Sequence, residues 1–145
     1  GHNRKADERP DRFDLLGFTH SWSRAWRGRR ERGWWVVKHS TARARFTRAL
    51  RAISEGCRKW CHRPLDEQWK LLSQKMRGHH GYYGVTGNAR AVTRFYVATR
   101  RIWQKWLSRR SRRGMWWEKF KRLISRYPPP TPRLVVNFYR LAANP

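Results

Sequence analysis

The densest group of chemically capable side chains is the segment 108–113, which reads SRRSRR. Each arginine presents a planar fork of N–H donors that matches two phosphate oxygens, and it stays charged at any physiological pH. The helix predicted just before this segment carries further cations on its polar side. The candidate phosphate-binding residues are Arg94, Arg101, Lys105, Arg109, Arg110, Arg112 and Arg113.

Aromatic side chains within basic or glycine-rich segments form a second candidate set. The basic segment 23–33 (SRAWRGRRERG) contains an indole that could stack on a base. The segment 78–87 (GHHGYYGVTG) places two tyrosines among glycines, where the backbone can approach a phosphate closely. These tyrosines either pack a helix junction or face RNA, and the sequence leaves both open. The second set consists of these aromatic residues and of arginines close to them in the sequence: Trp26, Arg29, Arg30, Arg77, Tyr82 and Tyr83.

The acidic and thiol side chains do not form a catalytic pattern. A two-metal catalytic site needs clustered carboxylates, and the 9 Asp and Glu residues are scattered. Asp66 and Glu67 are interpreted as charges near the start of a helix. Cys57, Cys61 and His62 have a spacing that could hold zinc, but Cys57 falls on an apolar helical stripe, which favours a place in the core. We therefore expect no catalytic residue, no metal ligand and no cofactor in this chain.

The composition is that of a folded and strongly basic chain. The 145 residues carry 35 Lys and Arg against 9 Asp and Glu, a formal net charge of +26. Arginines outnumber lysines by 27 to 8, and residues 83–145 hold 15 basic side chains but one acidic side chain. A hydrophobic fraction of 39% with 10 Trp is too high for a disordered basic tail. These values indicate a folded domain whose partner is a nucleic acid.

The pattern of apolar residues excludes a membrane span. No apolar run approaches the roughly 18 residues that a spanning helix needs, and no secretory signal is visible. Two cysteines do not make a disulfide framework. We therefore expect a cytoplasmic protein without a membrane partner.

Periodicity predicts a mainly α fold, in which a β-hairpin precedes four helices. The hairpin strands are 13–22 and 34–38, and both contain apolar residues on both faces. Ser40 or Thr41 is the expected cap of the first helix. The predicted helices run from there to about Cys61, from Pro64 to about Gly78, from 89 to 109 and from 116 to 127.

Several segments resemble conserved blocks of bacterial group II intron reverse transcriptases, in the same order and with similar spacing. FDLLGFTHSW at 13–22 is similar to the family's FDFLGF block. MRGHHGYYGVTGN at 76–88 is similar to LRGHYAYYGIRGN, and IWQKWLSRRS at 102–111 is similar to IWRKWLNRRS. WEKF at 117–120 and PPPTPRL at 128–134 resemble the WERF and PLPRPRI blocks that follow. Leu15, His80, Gly81 and Trp116 depart from the residues most common in the family.

This resemblance implies the C-terminal part of such a protein. Residues 1–39 would be the end of the palm, 40–127 the helical maturase domain (the thumb, or domain X), and 128–145 a Pro-rich extension. In the family, the thumb contacts primer–template duplex and intron RNA, and maturase binding stabilises the folded intron and promotes splicing and retrohoming. The implied partners are group II intron RNA, an RNA/DNA primer–template duplex, and the N-terminal fingers and palm of the same polyprotein or of a separate chain.

The polymerase's YADD block and its Mg²⁺ would lie upstream, so this chain is not expected to polymerise alone. Two other functions stay open. A generic basic module, such as a decayed retroelement fragment, would bind any polyanion of matched length equally well. A mainly structural piece would serve to pack on the palm and would be poorly soluble alone.

Overall fold

A three-stranded antiparallel sheet comes first in the described chain. The computed structural model describes residues 12–25 and 34–133. The strands are β1 (Phe13–Leu15), β2 (Phe18–Ala25) and β3 (Trp34–Thr41), and β2 lies between the other two. The predicted antiparallel pairing of the two long strands is confirmed, with Phe18 opposite Thr41.

A tight turn at Leu16 and Gly17 divides the predicted strand 13–22 into β1 and β2. The two residues have positive φ angles of 53° and 83°, as the two-residue type I′ hairpin turn requires. Leucine seldom adopts this left-handed conformation, so position 16 carries no turn signal. The prediction of one continuous strand is therefore wrong.

Four helices follow the sheet: α1 (Arg43–Trp60), α2 (Leu65–Tyr83), α3 (Ala89–Arg110) and α4 (Trp117–Arg126). Asp66 and Glu67 lie in the first turn of α2, near the positive end of the helix dipole, as predicted. The predicted fold class is confirmed: the chain is mainly α, and a β-hairpin precedes the helices.

Two predicted helix boundaries are wrong. Ser40 and Thr41 belong to β3, and α1 begins after Ala42 without a side-chain cap. The second predicted helix does not end at Gly78, because α2 continues through the glycine-rich block to Tyr83. The hydrogen bonds of a helix backbone can pass through single glycines at a cost of about 1 kcal/mol each, so tertiary packing can outweigh it.

The four helices enclose one apolar core. Trp103, Leu107 and Phe120 are almost completely buried within it. Half-buried aromatic and aliphatic side chains surround these residues. The fully buried members of the core are Ile53, Cys57, Leu72, Met76, Phe95, Trp103, Leu107, Met115 and Phe120. None of the four helices just described is long and apolar enough to span a bilayer.

A buried asparagine joins the sheet to the helices. The Asn88 side chain, 1% exposed, accepts a hydrogen bond from the Thr41 backbone N–H at 2.9 Å. Its amide nitrogen donates to the Thr41 hydroxyl and to the Tyr83 carbonyl oxygen, each at 2.8 Å. Asn88 occupies the N-cap position of α3 and is of a type that favours it, but its side chain makes no cap hydrogen bond. It ties the end of β3 to the end of α2 instead.

Residues 128–133, which we call the proline strap, pack back against α2. The Trp69 indole N–H donates to the Pro128 carbonyl oxygen at 2.8 Å, and Pro129 is buried. At the other end of the strap, the Arg133 carbonyl oxygen lies close to Gly84. The segment 134–139, for which the sequence allowed a strand or a helix, lies outside the described residues.

Candidate nucleic-acid interface

One face of α3 carries a row of exposed cations. Spacings of seven and four residues bring Arg94, Arg101 and Lys105 onto the same side of a helix with 3.6 residues per turn. All three are exposed, as is Arg90 one turn earlier, so the row extends over about 22 Å at a rise of 1.5 Å per residue. The opposite face of α3 buries Val92, Phe95, Thr99, Trp103 and Leu107.

Several cations of α3 lie close to aromatic rings. The Arg109 guanidinium lies 4.7 Å from the Trp106 ring centroid, and the Lys105 ammonium lies 5.9 Å from the same ring. The Arg94 guanidinium lies 5.5 Å from the Phe46 ring. Such contacts hold the long side chains in place while their charges stay in water. The row is therefore partly ordered before any anion binds.

Arg110 has a different role from its neighbours in the predicted set. Its Nη1 donates to the carbonyl oxygens of Arg63, at 3.0 Å, and Cys61, at 3.3 Å. These carbonyls lie just beyond the end of α1, so Arg110 joins the ends of α1 and α3. Both acceptors are neutral, so the arginine charge is not compensated.

Arg112 and Arg113 lie exposed in the turn after α3. The Met115 backbone N–H donates to the Ser108 hydroxyl at 2.8 Å, which fixes the two ends of this turn. Gly114 supplies the positive φ of 72° that the turn needs. The predicted basic run thus lies in a turn that the Ser108 side chain closes, at the end of the α3 row.

The two tyrosines of the predicted set pack a junction between the sheet and α2. The rings of Tyr82 and Tyr83 lie 5.7 and 5.2 Å from the Phe18 ring. The Tyr82 hydroxyl donates to the Leu16 carbonyl oxygen, and burial raises the pKa of Tyr83. Tyr82 is still 52% exposed. Both tyrosines therefore pack this junction, which lies near the first turn of α3, and Tyr82 keeps an accessible ring surface there.

Of the remaining predicted residues, Arg77 is the one that the structure describes. Arg77 is exposed on α2, where it borders a cavity beneath the proline strap. Trp26, Arg29 and Arg30 lie outside the described residues.

Sequence reasoning missed a second group of cations on α4. Lys119, Arg122 and Arg126 are exposed there. Their spacing of three and four residues places them on one face of the helix. That spacing is visible in the sequence, so this group could have been predicted from it.

Two tryptophans at the start of α4 are also more accessible than the sequence suggested. The spacing of Trp117 with Phe120 and Ile124 predicts that it lies on the apolar stripe of α4, yet it is 48% exposed, and Trp116 is 72% exposed. The Arg100 guanidinium lies 5.7 Å from the Trp117 ring and 5.4 Å from the Tyr96 ring. Trp117 thus borders a shallow cavity with Val97, Arg100 and Gln104 of α3 and is only partly covered by that helix.

The thiols and buried imidazoles belong to the core. Burial, with a smaller contribution from Cys61, raises the pKa of Cys57 to about 12. His79 stacks on Phe95 with ring centroids 3.6 Å apart, and burial lowers its pKa to about 4. In the described ranges, no three His, Cys, Asp or Glu side chains form a group that could hold a metal ion.

Most cations on the described surface have no acidic partner. Within residues 12–25 and 34–133, the single ion pair joins Lys121 to Glu118 at 3.5 Å, and both side chains are exposed. Among the described residues, no acidic side chain pairs with the α3 row or with the turn after it. Such an arrangement can attract a polyanion over about a Debye length and can donate hydrogen bonds to it at close range.

The comparisons with known proteins identify no relative. No family model matches the chain, and no curated protein or solved structure matches it. The class that the fold and the surface define is a basic, mainly helical protein with a row of uncompensated cations along α3.

Proposed function

We propose that this chain binds structured RNA through the α3 row and the turn that follows it. The observation that carries this proposal is the alignment of Arg94, Arg101 and Lys105 on the exposed face of a helix whose other face is core. A rigid row of cations fits the regular phosphates of a duplex, and A-form RNA is read largely by shape and 2′-hydroxyl groups. Duplex RNA regions are therefore the expected contacts.

The sequence resemblance narrows the proposal to the thumb, or maturase, part of a group II intron reverse transcriptase. In that role the chain would bind intron RNA and primer–template duplex, in the bacterial cytoplasm with the nucleoid. The intron RNA would perform the splicing chemistry, and the protein would stabilise its folded state. The motif at 102–111 supports this proposal, because it forms the last part of α3 and the start of the basic turn that follows it. The motif at 76–88 forms the end of α2 and its junction with the sheet.

The first experiment compares binding of a folded group II intron RNA with that of an unrelated structured RNA of equal length. It is done at physiological salt with excess competitor. We expect the intron RNA to bind about a thousandfold more tightly, as is typical of specific recognition. Equal binding would contradict the maturase role and favour a generic polyanion-binding module.

A second experiment locates the interface. The triple variant Arg94→Gln, Arg101→Gln and Lys105→Gln should reduce the slope of log K against log salt by about 2–3, since each lost phosphate contact removes just under one. The matched control replaces Arg43, Arg51 and Arg58, which are exposed on α1, with Gln. Both variants lose the same charge, so an equal effect would show attraction by net charge rather than contact by α3.

A specific observation also favours packing on the rest of a polymerase. Phe13 and Leu15 of β1 are each 53% exposed, and Leu16 is 75% exposed. Large apolar side chains grouped at a sheet edge are typical of an interface. We propose that this edge contacts the palm of the same polyprotein or of a separate chain. Co-expression with such a fingers–palm segment should raise the soluble yield, and Leu16→Lys should abolish that gain.

A further inference from the structure

A cleft beside α4 is not part of the duplex contacts that we propose for the α3 row. It lies between the first turn of α2, the last turn of α3 and the exposed side of α4, and its volume is about 720 Å³. Cavities that hold small molecules or single ligand groups range from about 300 to 1,000 Å³. The cleft is thus large enough for a nucleotide.

The rim of the cleft is strongly cationic. Arg110 of α3 and Lys119, Arg122 and Arg126 of α4 line it, and the described residues of its lining include no Asp or Glu. Arg110 is held in place by its hydrogen bonds to the carbonyl oxygens of Arg63 and Cys61. Four like charges around one concavity repel each other, so the cleft is complementary to an anion with several negative oxygens.

The floor of the cleft is apolar. The half-buried Leu65 and Leu123 supply its accessible surface, and the almost fully buried Leu107 and Met115 complete the lining. Tyr127 forms one wall, with the Arg126 guanidinium 5.7 Å from its ring. An apolar floor beneath a cationic rim suits a ligand with a flat, weakly polar part and a charged part. A nucleotide has both, since its base presents a π-face and its phosphate carries the charge.

We propose that this cleft takes an unpaired nucleotide of RNA, with the base on the apolar floor and the adjoining phosphates at the rim. Bases within a duplex are stacked and paired, whereas unpaired bases in loops and tails can turn outward into protein pockets. The inference deepens the proposed function, on which it rests: α3 contacts duplex phosphates, and the α4 cleft contacts a neighbouring single-stranded stretch.

The test uses three RNAs that share one hairpin stem. The first is blunt, the second carries an unpaired tail of about six nucleotides, within the site sizes of single-strand grooves, and the third carries the same tail without bases. We expect the normal tail to tighten binding about tenfold or more, since stacking contributes about that factor per base. We expect the abasic tail to add much less.

The variant Arg122→Gln with Arg126→Gln should remove most of the advantage of the tail and leave blunt-stem binding within about threefold. Both residues are exposed, and Gln retains a good helix propensity, so α4 should stay folded. The matched control, Arg51→Gln with Arg58→Gln on α1, should keep the advantage.

Each other outcome overturns a defined part of the proposal. A tail that adds nothing to binding, or an abasic tail that adds as much as the normal one, would refute the nucleotide cleft while duplex binding stands. The nucleotide cleft would also be refuted if the α4 variant and the α1 control lost the advantage of the tail to the same extent. Failure of every RNA to bind would refute the proposed function together with the cleft.

Discussion

Gly84 lies at the point where α2, the proline strap and the sheet junction meet. A Cβ atom added there would lie 2.5 Å from the Arg133 carbonyl oxygen and even closer to the His80 carbonyl oxygen. Both neighbours are backbone atoms and cannot rotate away. By contrast, a Cβ at Gly78, in the middle of α2, would meet no atom within 4 Å.

These two glycines therefore predict opposite effects of alanine. Gly84→Ala should lower the free energy of unfolding by about 2–3 kcal/mol, because the strap must move to avoid overlap. Gly78→Ala should raise it by about 0.5–1 kcal/mol, because alanine favours the helix and restricts the unfolded chain. Urea unfolding followed by circular dichroism measures both changes. A stabilising Gly84→Ala would contradict the position of the strap.

His79 makes stability depend on pH. Its folded-state pKa is about 4, against 6.5 when exposed, because burial and the nearby His80 disfavour the charged ring. Between these values the unfolded chain binds more protons than the folded chain, so stability falls as the pH is lowered from about 6.5 to 4. His80 acts in the same direction, since burial lowers its pKa as well.

We expect the His79 contribution to reach about 2 kcal/mol at pH 4, less than the full pKa difference would give because water still screens part of the ring. Replacing His79 with Phe, which preserves the stack on Phe95, should flatten the dependence of the urea midpoint on pH. Equal slopes for the variant and the parent chain would show that His79 is not the titrating group.

Some residue assignments could be made from the sequence and others could not. Cys57 could be placed in the core because it lies on the apolar stripe of α1. Arg110 could be predicted to be exposed, but its bonds to the Arg63 and Cys61 carbonyls depend on where α1 ends relative to α3. Trp117 was misplaced because spacing shows that a stripe exists but not how far a neighbouring helix covers it.

At the scale of elements, β1 is the weakest part of the described fold. It has three residues, pairs with β2 alone, and exposes its apolar side chains. Short edge strands of this kind open locally at little cost. The strand is nevertheless attached at its turn, where the Ala42 N–H donates to the Gly17 carbonyl oxygen at 2.9 Å.

Hydrogen exchange should therefore show β1 amides exchanging by local opening, while amides in the middle of α3 exchange only on global unfolding. The measurement is exchange rate against urea concentration, which is nearly flat for local opening. Protection of β1 equal to that of α3 would contradict the idea that its exposed edge needs a further partner.

Periodicity explains why α3 and its cationic row were predictable, since a single helix fixes both faces. The nucleotide cleft was not predictable, because its lining comes from α2, α3 and α4 and depends on their packing. The extension of α2 through Gly78 and Gly81 was also missed. The low helix propensity of glycine favours an end of the helix at these positions. The contacts of Tyr82 and Tyr83 with Phe18 outweigh this preference and keep the last turn of α2 helical.

At the scale of the whole molecule, charge repulsion opposes folding. The chain has a net charge of +26, and the described residues contain one exposed ion pair. Screening by salt should weaken this repulsion. We expect added sodium chloride to raise the urea midpoint, by on the order of 1 kcal/mol in the free energy of unfolding.

A short polyanion should stabilise more than chloride does at equal ionic strength, because it binds the folded state. A midpoint that falls or stays constant with salt would show that the charges are already neutralised within the fold.

The proline strap has a consequence for the order of events during synthesis. Trp69 and Gly84 leave the ribosome long before Pro128 and Arg133, their neighbours in the folded chain. One side of α2 therefore stays uncovered until almost the whole described chain has emerged. The strap is stiff by composition, with three consecutive prolines at 128–130, so it loses little conformational freedom when it docks. Docking of the proline strap on α2 is therefore a late folding step, and its cost in conformational entropy is small.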